Sequence, residues 1–316
     1  MKPVEPEITK LNASPPARFR MGPCEFEAES RHLTLRLRES NELLDDPEAL
    51  RGRFHDEGYL FIRGLHERQE VLNVRRDILE LMAHDGQLDP ASPLMDGTIN
   101  PALDTQPTVS TRGRENLKTV SLKRLLYGPR PMDFFRALFS REPAAYQFQW
   151  LRAGGQGAGS TVHADVVYMG RGTQQLCTCW TPLGDIPPEM GPLVVCLGSH
   201  RWERVRETYG RADVDRDLIP GHFTENPAEL VERFGGRWAT APMRAGDAVI
   251  LNMFILHASL MNTTNRYRIS VDTRFQPADE PMDDRWAGEN PQGHTELWKP
   301  GAQLEPLALS RAKWGV

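Results

Sequence analysis

Ala248-Val249-Ile250-Leu251-Asn252-Met253-Phe254-Ile255-Leu256 is followed directly by His257. Its length and its β-branched and aromatic content fit a buried strand better than a helix. Tyr267 to Phe275, rich in Val, Ile and Phe, reads the same way. Upstream, Tyr146–Leu151, Val162–Met169, Gln175–Leu183 and Leu193–Leu197 add shorter strands, with few helices between them. Strands clustered in the second half, after a helical first half, predict two packed antiparallel sheets. The expected fold is mainly β with flanking helices, around a double-stranded β-helix, a jelly-roll or cupin-like core.

The first half supplies the flanking elements. Asp46-Pro47 has the form of an N-cap followed by proline at the first helical position. That helix should run to about Glu57 and stop at Gly58. Tyr59-Leu60-Phe61-Ile62-Arg63 is a short apolar strand closed by Gly64. A second helix starts near Glu67, with Val71, Val74, Ile78, Leu81 and Met82 at helical spacing, and ends by Gly86. Helical segments around 116–126 and 131–140 are split at Tyr127-Gly128-Pro129. His32 to Leu37 alternates leucine with polar residues and suggests a short edge strand. Residues 1–45 read as an arm, partly disordered or strapped to the body. Residues 46–280 form the domain, and 281–316 a C-terminal tail packing on it. The stretch 87–115 holds Pro, Gly, Asp, Ser and Thr with little core material, and its length suggests a lid.

Composition narrows the function classes. The 316 residues, 39% of them hydrophobic, suffice for a sizeable core. A net charge of −5 argues against a nucleic-acid binder. No apolar run approaches the ~18 residues that cross a bilayer, and the N-terminus lacks a signal-peptide core. Cys24, Cys177, Cys179 and Cys196 form no disulfide framework and fit reduced thiols in a cytoplasmic protein. Gly154 to Gly159 is not followed by a helix or a Lys-Ser/Thr pair, which excludes a phosphate loop.

Chemistry enters at Thr161-Val162-His163-Ala164-Asp165. On a strand, residues two apart share a face, so His163 and Asp165 could reach one metal. Alone, H-x-D is a weak signal, and a histidine hydrogen-bonded at a strand end would also explain it. His257 lies where it could complete a site. Two histidines and one carboxylate leave three positions open on Fe(II), as oxygen activation requires. Arg268, inside an apolar strand, needs an anionic partner, and a dicarboxylate would supply one.

These pieces, in this order, resemble the phytanoyl-CoA dioxygenase family of Fe(II)/2-oxoglutarate-dependent oxygenases over roughly residues 50–277. The resemblance runs through Phe54 with Gly58–Gly64, His163-Ala164-Asp165, Cys179-Trp180-Thr181-Pro182-Leu183, and Gly191-Pro192-Leu193 to Gly198-Ser199-His200. It continues through Gly246-Asp247, His257 to Asn262, Thr264 and Arg268. Leu197 departs from the family's usual proline before Gly-Ser-His, a change expected to alter a turn and not the chemistry.

The resemblance implies that His163, Asp165 and His257 bind iron. It implies that Arg268 pairs with the distal carboxylate of 2-oxoglutarate, assisted by Ser259, with Trp180 as a pocket wall. Gln147 resembles a residue that contacts the co-substrate, and Gln149, on the same strand face, is its substitute. With O2, the implied reaction converts 2-oxoglutarate to succinate and CO2 and hydroxylates an unactivated C–H of a small molecule. Desaturation, cyclisation or epimerisation could come from the same chemistry, and a metal-binding β-barrel enzyme without 2-oxoglutarate is the competing reading. A carboxylate at Asp165 fills the position that related halogenases leave open, which argues against halogenation. Among the remaining candidates, His200 should close a turn, and Arg266 and Arg274 should be surface or ion-pair residues. His222 could line the substrate pocket or sit in a solvated loop. Arg112, Arg114 and Lys118 flank the expected lid, where an anionic ligand could meet them. The substrate-pocket walls are expected from 87–115 and 200–240.

Overall fold

The structure is a computed structural model that describes residues 16–103, 109–110, 119–297 and 299–316. The arm's first fifteen residues and much of the expected lid, with Arg112, Arg114 and Lys118, lie outside the described residues.

The chain begins with a hairpin, β1 (Arg18–Met21) and β2 (Cys24–Glu27), and a short β3 (Leu33–Thr34). α1 (Pro47–Glu57) opens with Asp46 accepting from the Ala49 N–H at 3.0 Å and closes at Gly58, whose φ of 76° suits glycine. β4 (Tyr59–Ile62), α2 (Arg68–His84), β5 (Val109–Ser110), α3 (Val120–Tyr127) and α4 (Pro129–Phe139) follow. Then come β6 (Pro143–Ala145), β7 (Trp150–Gly154), β8 (Ser160–His163), α5 (Val166–Met169), β9 (Cys177–Pro182) and β10 (Leu193–Cys196). The last set is α6 (Glu203–Glu207), α7 (Ala228–Glu232), β11 (Trp238–Ala239), β12 (Ala248–Asn252), β13 (His257–Ser259), β14 (Arg268–Pro277) and α8 (Leu307–Trp314).

Apart from the β1–β2 hairpin, the strands form two sheets, as the clustering of apolar runs implied. The larger has the order β4-β12-β9-β14-β7-β5, with β6 on β14, and the smaller the order β3-β11-β10-β13-β8. Period-2 alternation explains why the larger sheet is buried on both faces. Tyr59, Phe61, Trp180, Val249 and Leu251 pack towards the smaller sheet. Their neighbours Leu60, Ile62, Cys177, Cys179, Ala248 and Ile250 pack with Phe134, Phe135 and Leu138 of α4. Val71, Val74, Ile78, Leu79 and Met82 of α2 meet Leu151, Ile269 and Val271 of the same sheet. The four cysteines are free, and Cys177 and Cys179 share a buried face as their spacing implied.

Several boundaries move. The run 248–256 is not one strand. It stops at Asn252, whose side-chain oxygen accepts from the N–H groups of Phe254 (3.0 Å) and Ile255 (2.9 Å), and the chain crosses to the smaller sheet. The run Val162–Met169 also divides: β8 ends at His163 and a short helix follows Asp165. The strand placed at Tyr146–Leu151 begins at Trp150 and extends to Gly154. In the expected lid, Leu88 and Ile99 are buried and pair as a β-bridge against the α2 cluster.

The tail is clamped by a buried charge cluster. Asp215 accepts from Arg285, from His294 Nδ1 at 3.0 Å, and from the backbone N–H groups of Glu296 (3.1 Å) and Leu297 (2.9 Å). Arg285 also reaches Asp283 (2.6 Å) and the Tyr168 carbonyl (2.8 Å). Removing one partner strands the other charges away from water. Asp215→Ala is therefore expected to cost about 3–5 kcal/mol, read as a fall in the denaturant midpoint. An unchanged midpoint would mean that the clamp contributes nothing.

His66 gives the fold a pH dependence. It is buried beside Thr181 Oγ1 at 3.3 Å, and burial, with Arg130 second, pushes its pKa down to about 4. The folded value lies below the unfolded one, so the unfolded chain binds the extra proton first as pH falls. The stability is fully present above about pH 6.5 and is lost as pH falls towards 4, at up to ~1.4 kcal/mol per pH unit. Denaturant midpoints between pH 7 and 5 should fall less steeply for His66→Gln than for the unaltered protein.

Candidate metal centre

His163, at the end of β8, and His257, at the start of β13, are register partners on adjacent strands of the smaller sheet. Their rings lie 4.3 Å apart at 54°. Asp165 follows β8 by two residues and turns back, placing Oδ1 3.9 Å from Nε2 of each histidine. The three ligand atoms lie within 4.8 Å of one another. The convergence thus comes from strand pairing plus a turn, and not from strand alternation as the sequence suggested.

The hydrogen bonds around the three groups fit a metal. His163 Nδ1 lies 2.8 Å from the Thr161 carbonyl, and His257 Nδ1 lies 3.0 Å from the Ile255 carbonyl. A carbonyl only accepts, so both protons belong on Nδ1 and both Nε2 lone pairs face Asp165. Burial, with His257 second, pushes the His163 pKa down to about 4, so its lone pair is free at neutral pH. For Asp165, burial opposes ionisation, but Arg274, the two histidines and Thr178 outweigh it and hold the carboxyl well below the usual range. A buried carboxylate facing two imidazole Nε2 atoms suits a divalent transition ion.

A cavity of about 110 Å³ lies beside this trio, between the sheets. Its lining includes Thr178 and Trp180 from β9, Arg152 from β7, Ser259 from β13, and Arg268, Ser270, Asp272 and Arg274 from β14. Arg268 is buried and makes no ion pair among the described residues. Its Nη1 donates to Ser270 Oγ at 3.3 Å, and its Nε has no hydrogen-bond partner among the described residues. Burial, with Arg152 second, pushes its pKa down to about 10, which leaves it charged at neutral pH. A buried, charged and under-bonded guanidinium is a site for an anion. Ser259 Oγ is 3.2 Å from Ser160 Oγ at the cavity edge.

The structure therefore brings together His163, Asp165, His257, Arg268, Ser259 and Trp180. Gln147 is not among them: because the strand starts later than expected, it falls on an exposed bend. Gln149 is buried outside the cavity lining. His200 is buried with Nε2 3.2 Å from the His55 carbonyl, as a turn-closing residue would be. Arg266 is half-exposed, 3.9 Å from Asp96. His222 lies 3.6 Å from Glu225 and does not line the cavity. Among the described residues, none from 87–103 or 200–240 lines it either.

Arg274, expected at the surface or in an ion pair, is in an ion pair, and its partner is the Asp165 carboxylate of the trio. Arg274 is buried, with Nη2 3.3 Å from Asp165 Oδ2 and its guanidinium 4.5 Å over the Trp150 ring. Parity along the strand would have found it. Residues 268, 270, 272 and 274 share the face that Arg268 occupies.

The phytanoyl-CoA dioxygenase (PhyH) family profile matches residues 54–270. The chain is 30% identical over 251 residues to 1-deoxypentalenic acid 11-beta-hydroxylase of Streptomyces exfoliatus, covering 75% of this chain and 83% of that one. The fold resembles the epimerase SnoN, solved with Fe3+, α-ketoglutarate and nogalamycin RO, at 20% identity and a TM-score of 0.54 over 83% of this chain and 96% of that one. It also resembles EctD from S. alaskensis, at 20% identity and a TM-score of 0.53 over 83% and 90% of the two chains. The chain belongs to the phytanoyl-CoA dioxygenase family. It is a non-haem iron, 2-oxoglutarate-dependent oxygenase.

Proposed function

We propose that the protein hydroxylates an unactivated C–H bond of a small molecule while converting 2-oxoglutarate and O2 to succinate and CO2. In this reading His163, Asp165 and His257 hold Fe(II), and Arg268 holds the distal carboxylate of 2-oxoglutarate. The observation that carries it is the pairing, in one cavity, of a two-histidine, one-carboxylate donor set with a buried arginine that makes no ion pair among the described residues. Iron, when bound, would supply the one-electron oxygen chemistry that no side chain provides.

The chain's own residues supply the rest. Thr161 and Ile255 carbonyls fix the imidazole tautomers. Trp180 forms an apolar wall of the cavity. Ser259 stands ready to donate to the carboxylate that Arg268 would pair. Hydroxylation is preferred over desaturation, cyclisation or epimerisation because the 30%-identical relative is a hydroxylase. The epimerase likeness, at 20% identity, speaks only to the fold. No helix among the described residues is long and apolar enough to cross a membrane, and buried free thiols suit the cytoplasm.

The test is anaerobic loading with Fe(II) and 2-oxoglutarate, then oxygen, with succinate followed across a panel of small molecules that includes 1-deoxypentalenic acid. Iron-dependent binding of 2-oxoglutarate and oxygen-dependent succinate release are expected. A folded protein that takes up neither iron nor 2-oxoglutarate would sink the reading.

A further inference from the structure

Asp165 offers two oxygens, and only one faces the histidines. Oδ1 points to both Nε2 atoms. Oδ2 is turned away and doubly engaged: Thr178 Oγ1 donates to it, and Arg274 Nη2 lies 3.3 Å from it. Both partners are themselves immobilised. Thr178 is buried on β9 in register with Arg274 on β14. Arg274 stacks on Trp150 at 4.5 Å, its Nε lies 3.2 Å from Met169 Sδ, and its Nη1 donates to the Thr273 carbonyl at 3.4 Å. The larger sheet thus grips one oxygen of a carboxylate whose other oxygen faces the smaller sheet's two histidines.

We infer that Thr178 and Arg274 are positioning residues that restrict Asp165 to a single coordinating oxygen, which keeps a position open for 2-oxoglutarate. The inference rests on the iron reading above and adds a geometric condition to it. A carboxylate with both oxygens free can chelate a metal through two of them. With two histidines, that would leave two open positions where three are needed: two for the chelating keto acid and one for O2. Holding Oδ2 by a hydrogen bond from β9 and an ion pair from β14 prevents that swing. The grip is double because one hydroxyl alone could rotate away, whereas a stacked guanidinium cannot.

The experiment uses Thr178→Val, which nearly preserves shape, alongside Thr178→Ser and Arg274→Met. Fe(II) affinity is titrated anaerobically. 2-Oxoglutarate affinity is then measured on the iron-saturated proteins, together with the visible charge-transfer band of the iron–keto acid chelate. Thr178→Val and Arg274→Met are expected to weaken 2-oxoglutarate binding at saturating iron by about tenfold or more and to lose or shift the band, with a smaller effect on iron itself. Thr178→Ser should restore both. If Arg274→Met fails to fold, Thr178→Val alone decides. Unaltered affinity and band in the iron-saturated Thr178→Val variant would overturn the inference. So would iron and 2-oxoglutarate affinities falling in equal proportion, because that marks general damage to the site. Failure of the unaltered protein to bind iron or 2-oxoglutarate would instead remove the functional reading on which the inference stands.

Discussion

Asp165→Ala is expected to abolish coupled turnover. Loss of a partner that merely orients a ligand costs about 10–100-fold in metal affinity or activity, and loss of the ligand itself should exceed that. The change also leaves Arg274 buried without its acid, at a cost of about 3–5 kcal/mol. Asp165→Asn, which keeps the shape, separates the two effects: it should retain more stability than the alanine variant and still lose turnover. Fe(II) titration, denaturant midpoints and succinate release with product formation measure the three quantities. Full hydroxylase activity in Asp165→Ala would rule out the metal-ligand role.

Arg268→Leu is expected to weaken 2-oxoglutarate binding by about two to three orders of magnitude. Breaking a buried, hydrogen-bonded charge pair from one side costs 2–5 kcal/mol. Its guanidinium makes no ion pair with the trio, so Fe(II) affinity should hardly move. That separation distinguishes loss of the co-substrate site from collapse of the cavity. Arg268→Lys should recover only part of the affinity, because an ammonium lacks the planar fork. Unchanged 2-oxoglutarate affinity in the leucine variant would place the anion elsewhere.

The parts of the site legible in the sequence are those fixed by local pattern. Arg268 stood out because a charge in an apolar strand demands a partner, and the structure gives it a cavity instead of an acid. His257 stood out by following an apolar run, although the chain changes sheets before reaching it. What was not legible depended on where strands begin and stop. Gln147 and Gln149 were placed by a strand that starts only at Trp150, so backbone pairing with β14, a long-range property, decided their fate. Thr178 carries no local signature and Arg274 only the strand parity it shares with Arg268: their meaning comes from cross-strand register with each other and from the turn that swings Asp165 towards them.

Every residue of β14 is buried, yet its two faces belong to different chemistries. Ile269, Val271 and Phe275 lock the helices in place, while Arg268, Ser270, Asp272 and Arg274 face the reaction cavity. Inserting or deleting one residue between 268 and 276 would exchange the two sets and place arginines among the leucines. The strand is thus closed to change in length, and directed evolution of this enzyme should leave its spacing, Arg268 and Arg274 alone.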